Sequence, residues 1–292
     1  MTVSHQESPA VKYSLLKSLL NKKVHERVRG GYRLCKRLTR NMGSVPIRID
    51  SYPTLYVDLR SLDAHALKLF TEEPLPSVPH EPALTRVFNQ IIRPTDVVFD
   101  VGANLGLHSL TFSRMAKKVI AFEPNPALVP NLRKTLDGVP NAELQACCLS
   151  DQDGSVDFHV SKWDHMLGSL ADWSGQPADT INVPAFALDS LLEKGSIPTP
   201  QVLKVDVEGA EPLVFRGGEK LFSGPSAPRA IIFEELNRAS RKLGLGDTEA
   251  ADFLRERGYD LHLILDEGLV PLSDVRPPAA NLLATRSVLR KK

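Results

Sequence analysis

The apolar positions along the chain change their spacing near residue 80. Before that point they recur at helical spacing in residues 11–42 and alternate with polar positions in residues 45–60. After it come short, mainly apolar runs separated by helical or loop stretches: 97–99, 119–122, 144–149, 202–207 and 231–233. Mainly apolar runs of this length indicate strands that are buried on both faces. The pattern therefore predicts an α/β fold with a parallel sheet covered by helices on both sides.

The first 50 residues predict two short amphipathic helices with a break at Gly30 and Gly31. Eleven Lys and Arg against three Asp and Glu give this segment a net charge of +8, and the other residues carry −7. Such helices are either a helical pair packed on the acidic body or a contact to an anionic membrane surface or another acidic partner. Because the positive excess does not extend to the body, no specific nucleic-acid partner is expected.

Composition and patterning divide the chain into three predicted segments. Residues 1–50 form the basic helical arm, and residues 51–80 form a small cap with a hairpin and a linker rich in proline and glutamate. Residues 81–292 form the main domain. No apolar run approaches the 18–20 residues or so that span a bilayer, and the N-terminus lacks a signal-like apolar core. We therefore expect a cytoplasmic protein whose three cysteines are reduced thiols.

The first apolar run of the main domain ends in a glycine turn that begins with an acid. Asp100 is followed by Gly102 and Gly106, a G-x-x-x-G spacing that lacks the third glycine of the dinucleotide fingerprint. Glycine lets a ligand approach the backbone closely, and the turn presents the free N–H groups of a helix N-terminus. An acid at its start makes the turn a poor host for phosphate. A ligand with a cationic or neutral amino-acid portion fits it better.

The second run closes with Glu123 and Pro124, 23 residues beyond Asp100. In a doubly wound sheet an acid at this position faces the ribose hydroxyls of a bound nucleoside. A carboxylate accepts both hydroxyl protons in charge-assisted hydrogen bonds. The alternative is a solvated carboxylate at a strand end.

The run at 202–207, together with the residue that follows it, carries three ionisable side chains. Alternation puts Lys204, Asp206 and Glu208 on one face of the strand, where burial is costly without a purpose. Ligands of open α/β sheets bind beside the carboxyl ends of such strands. The alternative is a local ion network in which Glu211 favours the N-terminus of the following helix.

The three motifs together resemble the FkbM-type methyltransferases in order and spacing. They read VFDVGANLG at 98–106, AFEPNP at 121–126 and LKVDVEGAE at 203–211. The resemblance extends to CLSD at 148–151 and to FEEL at 233–236, which looks like the fifth strand of the family. It covers residues 81–236 and continues more loosely to the end of the chain.

The resemblance implies a seven-stranded Rossmann-like class I methyltransferase sheet, extended here by the N-terminal helices and hairpin, with S-adenosylmethionine as cofactor. It implies that the first turn holds the methionine part, the end of the second strand holds the ribose, and the region of Cys148 holds the adenine. Asp206 would lie nearest the methyl donor. The implied cofactor residues are Asp100, Gly102, Ala103, Asn104, Gly106, Glu123, Pro124, Asn125, Cys148 and Asp206.

Methyl transfer is an in-line displacement that depends on alignment, and an alcohol acceptor gains from a general base. The candidate bases are Asp206, Glu208, Glu235 and His108. His108 could instead be a packed or capping residue. A divalent cation held by Asp206, Glu208 and Glu235 is an alternative, but no His or Cys ligand accompanies these acids, and no metal is predicted.

An aromatic insertion between two strand-like segments contains Trp163 and Trp173, with His159 and His165. These side chains either stack on a sugar or apolar ring or cover the sheet edge. The implied function is O-methylation of a hydroxyl on a glycan or natural-product small molecule. The alternatives are a non-catalytic cofactor-binding module and a nicotinamide-dependent oxidoreductase. The missing third glycine and the charged strand at 202–207 disfavour the oxidoreductase.

Overall fold

The computed structural model of the protein describes residues 9–21, 31–40, 42–60, 64–78, 81–161, 168–172, 177–273 and 277–286. The N-terminal part contributes helices and one antiparallel hairpin. In chain order these elements are α1 (Pro9–Asn21), α2 (Gly31–Thr39), β1 (Ser44–Ile47), β2 (Leu55–Asp58) and α3 (Ala64–Glu72). Val45 lies opposite Val57 in the hairpin. The predicted helix pair and hairpin are confirmed, whereas α3 was not predicted.

The main domain begins with alternating helices and strands. They are α4 (Pro82–Ile91), β3 (Val97–Val101), α5 (Leu107–Ser113), β4 (Lys118–Phe122), α6 (Val129–Leu136) and β5 (Ala142–Gln145). Phe99 pairs with Ile120 in the parallel register of β3 and β4, and the chain crosses between these strands through α5. This is the βα alternation that the apolar runs predicted.

A smaller sheet follows, made of β6 (Cys148–Ser150), β7 (Gly154–Ser161), β8 (Gly168–Ser169) and β9 (Ala178–Ala187), in the order β6-β9-β7-β8. The run at 144–149, which the sequence predicted as one strand, is divided between the two sheets. The N–H of Cys147 donates to the carbonyl of Gln145 at 2.9 Å, and this tight turn ends β5 before β6 begins. The prediction was wrong because both halves of the run are apolar.

The remaining elements complete the large sheet. They are α7 (Leu188–Glu193), β10 (Val202–Val205), α8 (Glu211–Arg216), α9 (Glu219–Ser223), β11 (Ala230–Leu236), α10 (Asn237–Lys242), α11 (Glu249–Glu256), β12 (Asp260–Leu265), β13 (Gly268–Pro271) and β14 (Ala279–Thr285). The strand order is β5-β4-β3-β10-β11-β14-β12-β13. Strands β5, β4, β3, β10 and β11 are mutually parallel, and β14 is antiparallel to β11.

The predicted α/β fold is confirmed, with one strand more than the seven expected. The eighth strand, β13, pairs only with β12 at the edge of the sheet. Its side chains are exposed or half-buried. A strand of this kind has no continuous apolar run, and so the patterning did not reveal it.

Apolar side chains cover both faces of the large sheet. Phe99 and Phe233 pack on one face, with Phe215 of α8. Val98 packs on the other face, with Phe88 of α4. These two layers hold the parallel strands in place and leave their carboxyl ends as the edge where a ligand can bind.

The N-terminal part shares a core with the main domain. Leu16 and Leu69 belong to the same buried cluster as Leu105 and Leu132. On α2, Cys35 is buried, and Arg33 and Arg37 are exposed on the opposite face. The helix pair is thus packed on the body, and the segment boundaries at residues 50 and 80 stay predictions.

The described helices contain none that is both long enough and apolar enough to cross a membrane. Contact between the basic face of α2 and a membrane surface stays a prediction.

Candidate active site

A cavity of about 620 Å³ lies at the carboxyl ends of β3, β4 and β10. Most of the residues predicted to hold a cofactor line it: Gly102, Ala103, Asn104, Glu123, Pro124, Asn125, Cys148 and Asp206. Asp100 and Gly106 are buried below its surface. The three motifs therefore meet at one edge of the sheet, as the parallel strands predicted.

The turn after β3 depends on glycine at two positions. Gly102 has a φ of +80°, and a Cβ atom there would lie 1.9 Å from the carbonyl oxygen of Asp206. Gly106 has a φ of +87°, and a Cβ atom there would lie 2.5 Å from Leu132. The N–H groups of Gly102 and Ala103 both donate to the carbonyl of Phe122 at 3.0 Å. The two glycines thus let the turn after β3 approach both the loop after β10 and helix α6 more closely than any side chain would permit.

Asp100 and Lys204 form a buried ion network beneath the cavity. The Ser109 hydroxyl donates to Asp100 at 2.6 Å, and the Lys204 ammonium lies 3.5 Å from Asp100 and 3.1 Å from Asp206. Burial acts to lower the pKa of Lys204, but the carboxylates of Asp206 and Asp100 together raise it above the usual lysine value. Lys204 therefore stays charged. The ion network that the sequence left as an alternative exists, and it joins the first and third motifs.

Glu123 connects the turns that follow β3 and β4. Its two carboxylate oxygens accept the backbone N–H groups of Asn104 and Asn125, each at 2.8 Å. The side chain is only 5% exposed, yet it borders the cavity. Burial, opposed by these two hydrogen bonds, raises the pKa of Glu123 to about 7. Its carboxyl group therefore has a fixed position, and both its protonated and its ionised form are populated near neutral pH.

The loop after β10 is held by hydrogen bonds at three of its residues. The Glu211 carboxylate accepts the N–H of Val207 at 2.9 Å, and Ser169 donates its hydroxyl to the carbonyl of Glu208 at 2.9 Å. Ser240 donates to the carbonyl of Gly209 at 3.0 Å. Glu208 has a φ of +57°, which costs free energy for a residue with a side chain. These hydrogen bonds maintain the conformation that turns Glu208 toward the cavity.

Three acids lie together at the end of this loop. Asp206, Glu208 and Glu234 each place one carboxylate oxygen within 4.8 Å of the other two. The sequence predicted Glu235 as the third member, and in the structure Glu234 takes that place. Successive side chains of β11 point to opposite faces, so only one of the two glutamates can face Asp206. Both faces of β11 are buried, and alternation therefore could not identify the right one. A divalent cation at these acids stays a prediction, with Glu234 in place of Glu235.

Two further acids near the cavity escaped the sequence analysis. Burial, followed by the carboxylates of Asp206 and Glu81, raises the pKa of Glu234 to about 7. Glu81 borders the cavity just before α4, and burial and Asp206 raise its pKa as well. Glu81 is the first residue of the predicted main domain, just after the linker, where nothing in the local pattern indicates an approach to Asp206.

His108 lines the cavity but is packed among aromatic rings. It stacks on Phe112 with ring centroids 5.9 Å apart, and the ring of Phe88 lies 5.4 Å away at an angle of 69°. This arrangement matches the packing alternative, and a role for His108 as a base stays a prediction.

The small sheet closes one end of the cavity. Cys148, Phe158 and Gly168 line this end, and a Cβ atom on Gly168 would lie 2.6 Å from the Phe158 ring. Burial raises the pKa of Cys148 to about 12, so its thiol is neutral. Trp163, His165 and Trp173 lie outside the described residues. His159 lies on β7, 3.1 Å from the Thr180 hydroxyl, and does not border the cavity.

Helix α3 closes the other end, which the sequence had not predicted. His65, Lys68, Leu69 and Glu72 line the cavity. The spacing i, i+3, i+4, i+7 was the available signal for one helical face. It was missed because this stretch was interpreted as a cap and linker.

More than half of the chain matches a known protein family. Residues 100–261 match the family described as the methyltransferase FkbM domain. Hexuronic acid methyltransferase AglP of Haloferax volcanii is 33% identical over 123 residues, which are 42% of this chain and 49% of that protein. 2-O-methyltransferase NoeI of Sinorhizobium fredii is 27% identical over 158 residues, covering 46% of this chain and 64% of that protein.

The chain thus spans about half the length of AglP and less than two thirds of NoeI. A solved structure of methyltransferase FkbM from Methylobacillus flagellatus is 12% identical, with a TM-score of 0.41, over 76% of this chain and 55% of that one. The family match carries the assignment, because it includes all three motifs of the cavity. This chain belongs to the FkbM methyltransferase family.

Proposed function

We propose that the protein is an S-adenosylmethionine-dependent methyltransferase that methylates a hydroxyl group of a glycan or a small natural product. The observation that carries the proposal is the position of Glu123. A carboxyl group held by two backbone N–H groups at the end of the second parallel strand faces a cavity next to a glycine turn. In open α/β sheets this position receives the ribose of a bound nucleoside.

The residues at the cavity fit such a cofactor. A volume of about 620 Å³ lies within the range of small-molecule sites. Each carboxylate oxygen of Glu123 accepts one backbone N–H, and a second lone pair remains to accept a ribose hydroxyl. Gly102 lines the cavity at the turn where the methionine part would lie, and the acids around the cavity favour a ligand with a positively charged sulfonium and amino group. Gly102, Asn104, Glu123 and Cys148 would hold the cofactor.

When bound, S-adenosylmethionine supplies a methyl group on a positively charged sulfur. Lys204 keeps Asp206 in position from below, and the Asp206 side chain is 40% exposed toward the cavity. The acceptor hydroxyl must lose its proton, and Glu234, with a pKa of about 7, is suited to accept it near neutral pH. Asp206 and Glu208 would orient the hydroxyl for in-line attack. Glu235 and His108, the other candidates from the sequence, do not belong to the cluster of three acids found among the described residues.

The acceptor class rests on the relatives. One is named a hexuronic acid methyltransferase and another a 2-O-methyltransferase, and both names support a sugar hydroxyl as acceptor. In this proposal residues 81–292 form the methyltransferase domain, and residues 1–80 form the basic arm and the cap.

The proposal is tested by ligand binding and turnover. Full-length protein is titrated calorimetrically with S-adenosylhomocysteine and, separately, with NAD. We expect binding of the first compound only, and binding of NAD alone would favour the oxidoreductase alternative. Transfer of a radiolabelled methyl group from S-adenosylmethionine to a panel of sugars separates an enzyme from a binding module. We expect transfer by the wild-type protein, and a strong reduction for Asp206→Ala.

A further inference from the structure

One face of α3 forms a wall of the cavity and is held firmly in place. His65, Lys68 and Glu72 project from this face. From the same helix Phe70 is buried, in edge contact with Tyr13 at 6.0 Å and beneath the Lys17 ammonium at 5.1 Å. Glu73, just beyond α3, accepts a hydrogen bond from Lys17 at 2.5 Å. The lining face of α3 therefore has a defined position relative to the rest of the cavity.

The two lysines that line the cavity have different surroundings. Lys204 is 4% exposed and lies between the carboxylates of Asp100 and Asp206. Lys68 is exposed, and none of the carboxylates in the described part of the chain forms an ion pair with it. The ammonium group of Lys68 thus lines the cavity and can bind an anionic group of a ligand.

The other charged groups restrict where such an anion can lie. Glu81, Asp206 and Glu208 surround the place where the methyl group would be transferred. A carboxylate on a ligand would be repelled by these acids and attracted by Lys68. Glu72 also lines the cavity from α3, one turn beyond Lys68, so the attraction is confined to the Lys68 ammonium group. The charges therefore orient an acidic ligand with its carboxylate toward Lys68 and its hydroxyl toward Asp206.

We propose that Lys68 binds a carboxylate group of the acceptor, so that the sugar methylated by this protein is an acidic one. The inference rests on the proposed function. The cofactor also carries a carboxylate, but the residues that would hold the cofactor all lie within the matched family segment, 100–261. Lys68 lies outside that segment, on α3. The carboxylate of the acceptor is therefore assigned to it.

The test uses two sugars that differ in one carboxylate. Full-length protein saturated with S-adenosylhomocysteine is titrated with p-nitrophenyl β-D-glucuronide and with p-nitrophenyl β-D-glucoside, and binding is measured by saturation-transfer NMR. We expect the wild-type protein to bind the glucuronide about tenfold more tightly, as for a hydrogen bond to a charged group. Lys68→Ala should remove the preference, Lys68→Glu should reverse it, and Lys68→Arg should retain it.

The matched control is Lys242→Ala, since Lys242 is an exposed lysine at the end of α10 that does not line the cavity. This variant should keep the full preference for the glucuronide. A wild-type protein that binds both sugars equally, or neither, overturns the inference. It is also overturned if Lys68→Ala weakens S-adenosylhomocysteine and leaves the sugar preference intact, because Lys68 would then serve the cofactor. Failure of the wild-type protein to bind S-adenosylhomocysteine is a different result, which counts against the proposed function itself.

Discussion

The ammonium group of Lys204 lies 3.1 Å from a carboxylate oxygen of Asp206, and the two side chains are 5% and 40% exposed. The pair thus joins a buried cation to an acid that faces the cavity. Asp100, which is fully buried, lies on the other side of the same lysine at 3.5 Å. One lysine therefore compensates the charge of an interior carboxylate and positions a carboxylate at the site.

Replacing Lys204 should destabilise the fold as well as the site. Lys204→Met leaves Asp100 buried without a counter-charge, and we expect the free energy of unfolding to fall by about 3–5 kcal/mol. Urea unfolding at pH 8 measures the change. Lys220→Met is the control, because Lys220 pairs with Glu193 on the surface, and no measurable change is expected. Equal effects of the two substitutions would contradict the assigned role of Lys204.

A substitution at Gly102 tests the close approach between the turn after β3 and the loop after β10. Gly102→Ala would place a Cβ atom 1.9 Å from the Asp206 carbonyl, and we expect a loss of about 3 kcal/mol or more in the free energy of unfolding. Gly195→Ala is a matched control, with a φ of +64° and nothing within 4 Å of the added atom. It should cost about 1 kcal/mol, from backbone strain alone. Similar melting temperatures for the two variants would argue against the contact.

Glu123 should release a proton when the cofactor binds. Its pKa is about 7 in the free protein, and ribose hydroxyls donate to the ionised form, so binding lowers the pKa. Affinity for S-adenosylhomocysteine should therefore rise as the pH increases from 6 to 8 and then level off. Calorimetry at pH 6.5 in two buffers of different ionisation enthalpy counts the protons released.

The corresponding variant is Glu123→Gln, which cannot ionise. We expect it to bind S-adenosylhomocysteine about tenfold or more weakly and to release no proton from this position. Glu143→Gln is the control, since Glu143 pairs with Lys118 on the surface of β5. If Glu123→Gln releases as many protons as the wild-type protein when S-adenosylhomocysteine binds, Glu123 is not the residue that binds the ribose.

Glu234 and Glu235 offer a direct test of the general base. A base acts in its ionised form, so the rate of methyl transfer should rise through pH 7 with the pKa of Glu234. Glu234→Gln should lower kcat about 100-fold or more at unchanged affinity for S-adenosylhomocysteine. Glu235→Gln should retain the pH profile.

Glu81 provides a second measure of the same assignment. The Glu81 carboxylate raises the pKa of Glu234, so Glu81→Gln should move the rising limb of the profile to lower pH. A profile that depends on Glu235 and is insensitive to Glu81 would assign the proton transfer elsewhere.

The sequence alone determined the class of fold and one end of the site. The apolar runs of β3, β4, β10 and β11 are local features, and strands buried on both faces leave few arrangements other than a parallel sheet. Because the carboxyl ends of parallel strands meet at one edge, the order of the motifs along the chain was enough to assign Gly102, Glu123 and Asp206 to one cavity.

Tertiary structure alone decided the other end of the site. The choice between Glu234 and Glu235 required the packing on both faces of β11, and the approach of Glu81 and Lys68 required chain segments that are distant in sequence to fold against the sheet edge. The division of residues 144–149 between two sheets is of the same kind. Periodicity records which residues share a face of one element, whereas the wall of a cavity is set by long-range contacts among several elements.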